Sequence, residues 1–150
     1  MKHKRWLVRG GVAAAVLLVV IQVIPYGRVH ENPPVTAEPK WDSAEVRALA
    51  VRACFDCHSN ETRWPWYSFV APVSWFIAHD VYDARDDLNF SEWDEPQEAK
   101  KAPKLVRNRA MPLGPYVWLH AEADLTSDER ERLARGLAAV VESAPKRADD

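Results

Sequence analysis

The pentapeptide at residues 54–58 constrains this chain more than any other feature of its sequence. It is Cys54-Phe55-Asp56-Cys57-His58, and the C-x-x-C-H pattern is the attachment sequence of c-type haem. Two thiols three residues apart lie on one face of a helical turn, close enough to add to the two vinyl groups of one porphyrin. The next residue, a histidine, is then held beneath the iron as its proximal ligand. The motif therefore predicts one covalently attached haem c.

Three other uses of the two cysteines stay open. A structural zinc site needs four ligands, but the chain has no third cysteine and its histidines are scattered. A redox-active dithiol belongs after a strand in a βαβ pattern, which the sequence does not show. A disulfide between Cys54 and Cys57 would close a very small loop and stabilise the chain little. The histidine that completes the motif favours haem over all three.

Residues 1–29 predict a signal-anchor segment. An uncharged, mainly apolar run over residues 10–24 follows a basic start. The basic residues are Lys2, Lys4, Arg5 and Arg9. Because the positive charge precedes the run, we expect the N-terminus in the cytoplasm and the rest of the chain outside. No A-x-A-like triplet follows the run, so we expect a retained transmembrane helix rather than a cleaved signal peptide.

The rest of the chain divides into three predicted parts. Residues 30–40 hold three prolines and no apolar periodicity, which indicates an extended linker. Residues 41–143 have the length of one domain, and residues 144–150 form a polar tail. The net charge of −2, from charges of mixed sign, gives no reason to expect nucleic acid as a partner.

The domain is predicted to be all-α, a small cytochrome c-like helical bundle around one haem. Asp42 or Ser43 can cap a first helix that runs into the haem motif, and its apolar residues recur at helical spacing. Pro72 suits the first turn of a second helix. No alternating apolar pattern is long enough to predict a strand.

Two further helices are predicted in the second half of the domain. A more polar third helix is expected from Ser91 or Glu92 to Lys101. Thr126 and Glu129 have the spacing of a capping box at the start of the last helix.

Aromatic residues crowd the stretch that follows the haem motif. Trp64, Trp66 and Trp75 are candidates to pack on the macrocycle, although the same rings could fill an ordinary core. Arg63 is a candidate partner for a haem propionate, with a solvated surface arginine as the alternative.

The sixth ligand of the iron is predicted to be Met111. It is the only methionine besides the initiator, and Pro112 stiffens its loop. A thioether in that position stabilises ferrous iron and raises the reduction potential. His79, on the apolar-periodic second helix, is the alternative ligand, and His120 is expected to have a structural role. An open sixth position would suit a peroxidase-like enzyme or a gas or redox sensor instead.

The chain also resembles the bacterial haem-binding domain family, small membrane-anchored or exported proteins with one C-x-x-C-H. The resemblance extends from Trp41 to about Val141. It rests on residues 54–68, 71–75, 88–93, 111–112 and 119–126. The family typically has Met-Pro-Pro where this chain has Met111-Pro112-Leu113, which leaves the methionine in place but changes its loop. The resemblance implies haem attached at Cys54 and Cys57, with His58 proximal and Met111 as the distal ligand.

These observations predict a single-pass protein of the bacterial inner membrane whose monohaem domain faces the periplasm. Its expected work is one-electron transfer without chemistry on a substrate, so the sequence favours a carrier over an enzyme. The expected partners are the cytochrome c maturation machinery, an unknown redox partner protein and the membrane. A haem enzyme or sensor and a haem-free membrane-tethered dithiol protein are the alternatives.

Overall fold

The computed structural model describes residues 2–145, and the chain is all-helical over that range, which confirms the predicted fold class. Its α-helices are α1 (Lys2–Val20), α2 (Ala44–Ala53), α3 (Phe55–His58), α4 (Val73–Asp87), α5 (Ala102–Arg107), α6 (Gly114–Leu119) and α7 (Ser127–Val141). Short 3₁₀ helices lie at Ile21–Val23, Trp66–Phe69, Ala99–Lys101 and Ala121–Ala123.

The chain forms two compact units, each built from two separate stretches of the sequence. The first unit combines the N-terminal segment up to His30 with Trp64–Asp80. The second combines Glu31–Arg63 with the chain from Val81 onward. Helix α4 contributes its first half to the first unit and its second half to the second unit.

In the first unit, α1 carries the apolar run predicted to enter a membrane. The stretch His3–Val23 has a mean hydropathy of 2.0, and none of it is buried within the protein. It is long and apolar enough to cross a bilayer, a property that signal sequences near an N-terminus share.

In the second unit, α7 packs against α2 and α5 around the hydrophobic core. Leu133 and Leu137 of α7 are fully enclosed by that core. Gly136 permits the close approach to α2, because a Cβ atom there would lie 2.4 Å from Val46 Cγ1.

Both predicted caps in the second unit are present. Ser43 Oγ accepts a hydrogen bond from the backbone N–H of Val46 at the start of α2. At the start of α7, Thr126 and Glu129 form a reciprocal capping box. In the first unit, the second predicted helix is α4, which begins one residue after Pro72.

The third predicted helix, from Ser91 or Glu92 to Lys101, is wrong over most of its length. Helical structure begins only at Ala99, and residues 91–98 form turns, an isolated bridge at Glu92 and irregular chain. The physical reason is that the polar side chains bond the backbone locally instead: Asn89 Oδ1 accepts from Ser91 N, and Gln97 Nε2 donates to Glu92 O. Pro96 also lacks the N–H that a continuous helix would need.

The predicted linker and tail each contain residues that pack on the second unit. Ala37 forms a parallel bridge with Glu92, and Ala37 O accepts a hydrogen bond from Trp93 N at 3.0 Å. Near the other end, Pro145 O accepts from Gln97 N at 2.9 Å. The rest of the predicted polar tail, residues 146–150, lies outside the described residues.

Candidate haem site

The haem motif sits at a break between two helices of the second unit. Helix α2 ends at Ala53, and Cys54 has the non-helical angles φ −129° and ψ −35° before α3 begins. Cys54 O then accepts hydrogen bonds from the backbone N–H of Cys57 and His58, at 3.1 and 2.8 Å. This single turn places the two cysteines three residues apart on one face, and neither of them forms a disulfide bond.

The imidazole of His58 is oriented by the end of α4. Its Nδ1 lies 3.0 Å from Ala84 O and 3.0 Å from Leu88 O. Because carbonyl oxygens only accept hydrogen bonds, Nδ1 carries the proton and Nε2 keeps its lone pair. Burial lowers the pKa of His58 from its usual value, so the ring is neutral at neutral pH. A backbone-anchored neutral imidazole with an available Nε2 is the usual form of a metal-bound histidine.

Cys54, His58 and Met111 line one cavity in the second unit. The empty space of the cavity is about 680 Å³ when the part open to solvent is included. The remaining lining residues are mostly apolar or carry long alkyl chains: Asp87, Leu88, Phe90, Glu98, Lys101, Ala102, Leu105, Val106 and Leu137. Burial raises the pKa of the Cys54 thiol to about 12, with a further contribution from Cys57, so this sulfur is protonated at neutral pH.

Met111 lies in a loop whose backbone is held from two directions. Its N–H donates to Leu105 O at 3.1 Å, and its carbonyl oxygen accepts from Arg130 Nη1 at 2.9 Å. Its half-buried side chain packs against the hydrophobic core. The residue proposed from the sequence as the distal ligand is therefore fixed at the wall of the same cavity as His58.

Arg130 is a site residue that sequence reasoning missed. It is buried on α7, and its guanidinium also donates to Val106 O at 3.1 Å and to Leu125 O at 3.4 Å. The sequence did contain a signal. Arg130 lies three residues before Leu133 and seven before Leu137, so it falls on the apolar face of α7, where a charged residue needs buried partners.

Asp56, between the two cysteines, accepts hydrogen bonds from two side chains, and the sequence did not indicate this cluster. Tyr116 Oη donates to Asp56 Oδ2 at 2.7 Å, and Arg63 Nε donates to Asp56 Oδ1 at 3.1 Å. Burial, with a further contribution from the hydrogen bond to Asp56, raises the pKa of Tyr116 well above its usual range. His120, at the end of α6, stacks on Tyr116 with ring centroids 4.2 Å apart.

The candidate propionate partner Arg63 is thus paired with Asp56 of the haem motif. Its side chain stays 62% exposed, so the guanidinium also faces solvent. Paired charges at such exposure contribute little to stability. The pair nevertheless fixes the position of the Arg63 head beside the motif.

The remaining sequence candidates lie in the first unit. Trp64 stacks on His30 with centroids 4.2 Å apart and nearly parallel planes. Trp66 is exposed, Trp75 is half-buried, and His79 is exposed on α4. The cavity described above is lined only by residues of the second unit. These four side chains are not among its lining residues.

The donor set of the cavity fits haem. A neutral imidazole with an available Nε2 and a soft thioether are the axial ligands of many cytochromes, and the Cys54 thiol lines the same cavity, whereas Cys57 is not among its lining residues. Apolar walls are what a macrocycle requires. A zinc site is less well served, because residues 2–145 contain no group of three or more His, Cys, Asp and Glu side chains that could hold a metal ion.

Comparison with known proteins agrees with this geometry. A family model described as Haem-binding domain matches residues 16–139, most of the chain and all of the residues discussed for the site. No curated protein and no solved structure gave a match. The match confirms the resemblance drawn from the sequence and shows that haem is the cofactor. The chain is a member of the Haem-binding domain family.

Proposed function

We propose that the protein is a membrane-anchored monohaem cytochrome of the c type that carries single electrons. One observation supports this more than the others: Met111, which is far from the haem motif in sequence, lines one cavity with Cys54 and His58. Haem held there would supply an iron that exchanges one electron between its ferric and ferrous states. The chain's own residues would do the rest, by attaching the group, setting its axial ligands and limiting access of water.

Each residue has a distinct role in this proposal. Cys54 and Cys57 would attach the porphyrin through two thioether bonds. His58 would hold the iron through Nε2, while the carbonyls of Ala84 and Leu88 keep its Nδ1–H oriented. Met111 would hold the iron through its sulfur, a ligand that favours ferrous iron and raises the reduction potential.

The proposal places the protein in a bacterial inner membrane, with the haem domain in the periplasm. Support comes from the basic residues before the apolar run and from the length of α1. The partners would be the cytochrome c maturation machinery during biogenesis and a redox protein afterwards. Protease added to spheroplasts should remove the haem domain and leave a short N-terminal fragment in the membrane.

Covalent attachment is tested by the mass of the intact protein. In a host with the maturation machinery, we expect the mass of the chain plus one haem, retained after denaturation. Cys54→Ser and Cys57→Ser should each leave one thioether, and the double variant should lose covalent haem. An apo mass for the unaltered chain in that host would refute the c-type assignment.

The sixth ligand is tested by spectra and redox titration. Met111→Ala should remove the weak far-red absorption of sulfur-ligated ferric iron, lower the reduction potential and let carbon monoxide bind. His79→Ala and His120→Ala are the matched controls and should leave the spectrum nearly unchanged. If His79→Ala alone produces high-spin iron, His79 is the ligand. If the unaltered protein is high-spin and reacts rapidly with peroxide, the enzyme or sensor alternative replaces the carrier.

A further inference from the structure

The first unit exposes a row of large apolar side chains. We use the name apolar segment for residues 66–76, in which Trp66, Phe69, Val70, Val73 and Phe76 are all exposed. Trp66 is 79% exposed and Phe76 is 68% exposed. Proteins rarely leave such rows in water, so this surface indicates contact with a partner or a membrane.

The apolar segment is hydrogen-bonded to the 3₁₀ helix Ile21–Val23, which follows α1. Gln22 Nε2 donates to Ala71 O at 2.9 Å, and Ala71 N donates to Gln22 Oε1 at 3.0 Å. One side-chain amide thus satisfies both backbone polar groups of Ala71. Gly27, with φ 71°, adds a second close approach, because a Cβ atom there would lie 2.5 Å from Ser74 O. The segment is therefore held against the chain that leaves α1.

This attachment fixes the depth of the apolar segment relative to a bilayer. The stretch His3–Val23 is about 30 Å long at 1.5 Å per residue, which equals the thickness of the hydrocarbon core. Gln22 then lies at the outer edge of the hydrocarbon, and Ala71, hydrogen-bonded to it, lies at the same depth. Residues 64–79 contain no Asp, Glu, Lys or Arg that would resist burial there.

We propose that the apolar segment inserts into the outer lipid–water interface, so that the first unit contacts the bilayer at a second place besides α1. The apolar segment would contact lipid, because aromatic side chains such as Trp66 are favoured in the interfacial layer of a bilayer. The depth of the segment follows from its hydrogen bonds to Gln22. The proposal rests on the membrane anchoring in the proposed function, and it does not depend on the axial ligands of haem.

Photo-crosslinking in the full-length, haem-loaded protein tests this directly. The chain is reconstituted in vesicles of phosphatidylethanolamine and phosphatidylglycerol, with p-benzoylphenylalanine in place of Trp66 or of Phe76. The matched control carries it in place of Trp118, an 84% exposed tryptophan of the second unit. Mass spectrometry should find at least tenfold more lipid adduct at positions 66 and 76 than at position 118. Equal yields at the three positions, or adducts with protein in place of lipid, would overturn the proposal.

Flotation of the vesicles separates this proposal from the one on which it rests. If the chain does not float with lipid, the anchoring in the proposed function fails and the insertion fails with it. If the chain floats but positions 66 and 76 give no lipid adduct, only the insertion fails.

Tryptophan fluorescence gives a second measurement without a photoreactive group. With lipids brominated near the headgroup, Trp66→Phe should remove more of the lipid-quenched emission than Trp118→Phe. The reverse order would contradict insertion at position 66.

Discussion

The two units of this protein use apolar side chains in opposite ways. In the second unit, Leu133 and Leu137 are 0% and 2% exposed, and they hold α7 against its neighbours. In the first unit, Trp66 and Phe76 face outward, and α1 buries none of its apolar run within the protein. Hydropathy alone does not distinguish these cases. The second unit encloses its core residues by folding although Trp118 stays exposed, whereas the first unit leaves a row of apolar side chains at the surface.

Both units also contain side chains that are hydrogen-bonded inside the protein. The second unit buries a hydrogen-bonded cluster close behind the haem motif, in which Asn89 Nδ2 donates to Asn60 Oδ1 and Asn60 N donates to Ser91 Oγ. His58 O joins the same region by accepting from Phe90 N at 2.8 Å. In the first unit, Gln22 bonds both backbone groups of Ala71, and Ser68 Oγ donates to Pro65 O at 2.6 Å. The cluster of the second unit differs from these bonds in its position next to the haem motif.

The largest expected difference in stability is between two variants that each truncate one apolar residue, one variant in each unit. Leu133→Ala leaves a cavity in the core and should lower the free energy of unfolding by about 2–5 kcal/mol. Phe76→Ala removes a larger side chain, but one that is already exposed, so its effect should stay within about 0.5 kcal/mol. Urea unfolding of both variants in detergent, followed by circular dichroism, measures the difference. Similar losses of unfolding free energy in the two variants would show that Phe76 is packed inside the protein. The difference between the two units would then not hold.

Much of this arrangement could be predicted from the sequence, because local signals and tertiary packing agree. The capping box at Thr126 and the apolar spacing of α7 required no information from elsewhere in the chain. The expected helix over residues 91–101 is wrong because Asn89 and Gln97 bond nearby backbone groups, a local competition that helical spacing of residues does not reveal.

The candidate site could be predicted only where a residue type by itself indicates its chemistry. The C-x-x-C-H motif and the single internal methionine identified cavity residues, because few residue types can do that chemistry. The sequence could not show that Tyr116 would meet Asp56, since sixty positions separate them and no motif joins them. Arg130 was partly predictable. Its position on the apolar face of α7 indicated burial, but the sequence did not identify its hydrogen-bond partners.

The next largest effect is expected from Arg130, the buried charge of the second unit. Arg130→Met keeps most of the side-chain volume but removes the side-chain donor to Met111 O and one of the donors to Val106 O, which also accepts from Arg109 N. Because unsatisfied buried acceptors are costly, the free energy of unfolding should fall by about 1–3 kcal/mol. The Met111 loop should also exchange its amide hydrogens faster, and the far-red band of sulfur-ligated iron should weaken.

A second arginine of the same helix provides the control. Arg132 is exposed and pairs with Glu45 at the surface. Arg132→Met should change stability by less than about 0.5 kcal/mol and leave hydrogen exchange at residues 105–111 unaltered. If the two variants behave alike, Arg130 does not hold the Met111 loop.

The smallest expected effect concerns acid, and it too should distinguish the units. The first unit has a single carboxylate, Asp80, within residues 2–30 and 64–80, so acid sensitivity should arise mainly in the second unit. There, hydrogen bonds from Thr126 and Arg52 lower the pKa of Glu129 from its usual 4.5 to about 2. A carboxylate whose pKa is lower in the folded than in the unfolded state stabilises the fold above the unfolded value. That contribution is lost as the pH falls from about 4.5 towards 2.

Glu129→Gln should therefore lose stability at pH 7, where the native carboxylate contributes fully, and should differ less from the unaltered protein near pH 2. Thr126→Ala removes the other half of the capping box and should cost about 1 kcal/mol at pH 7. Glu142→Gln is the control, because this exposed carboxylate lies at the far end of α7, outside the capping box. The urea midpoints of unfolding at pH 7, 4 and 2.5 compare all three variants. If the midpoint of Glu129→Gln falls with pH as steeply as that of the unaltered chain, the capping box does not cause the loss of stability in acid. Other carboxylates of the second unit must then account for it.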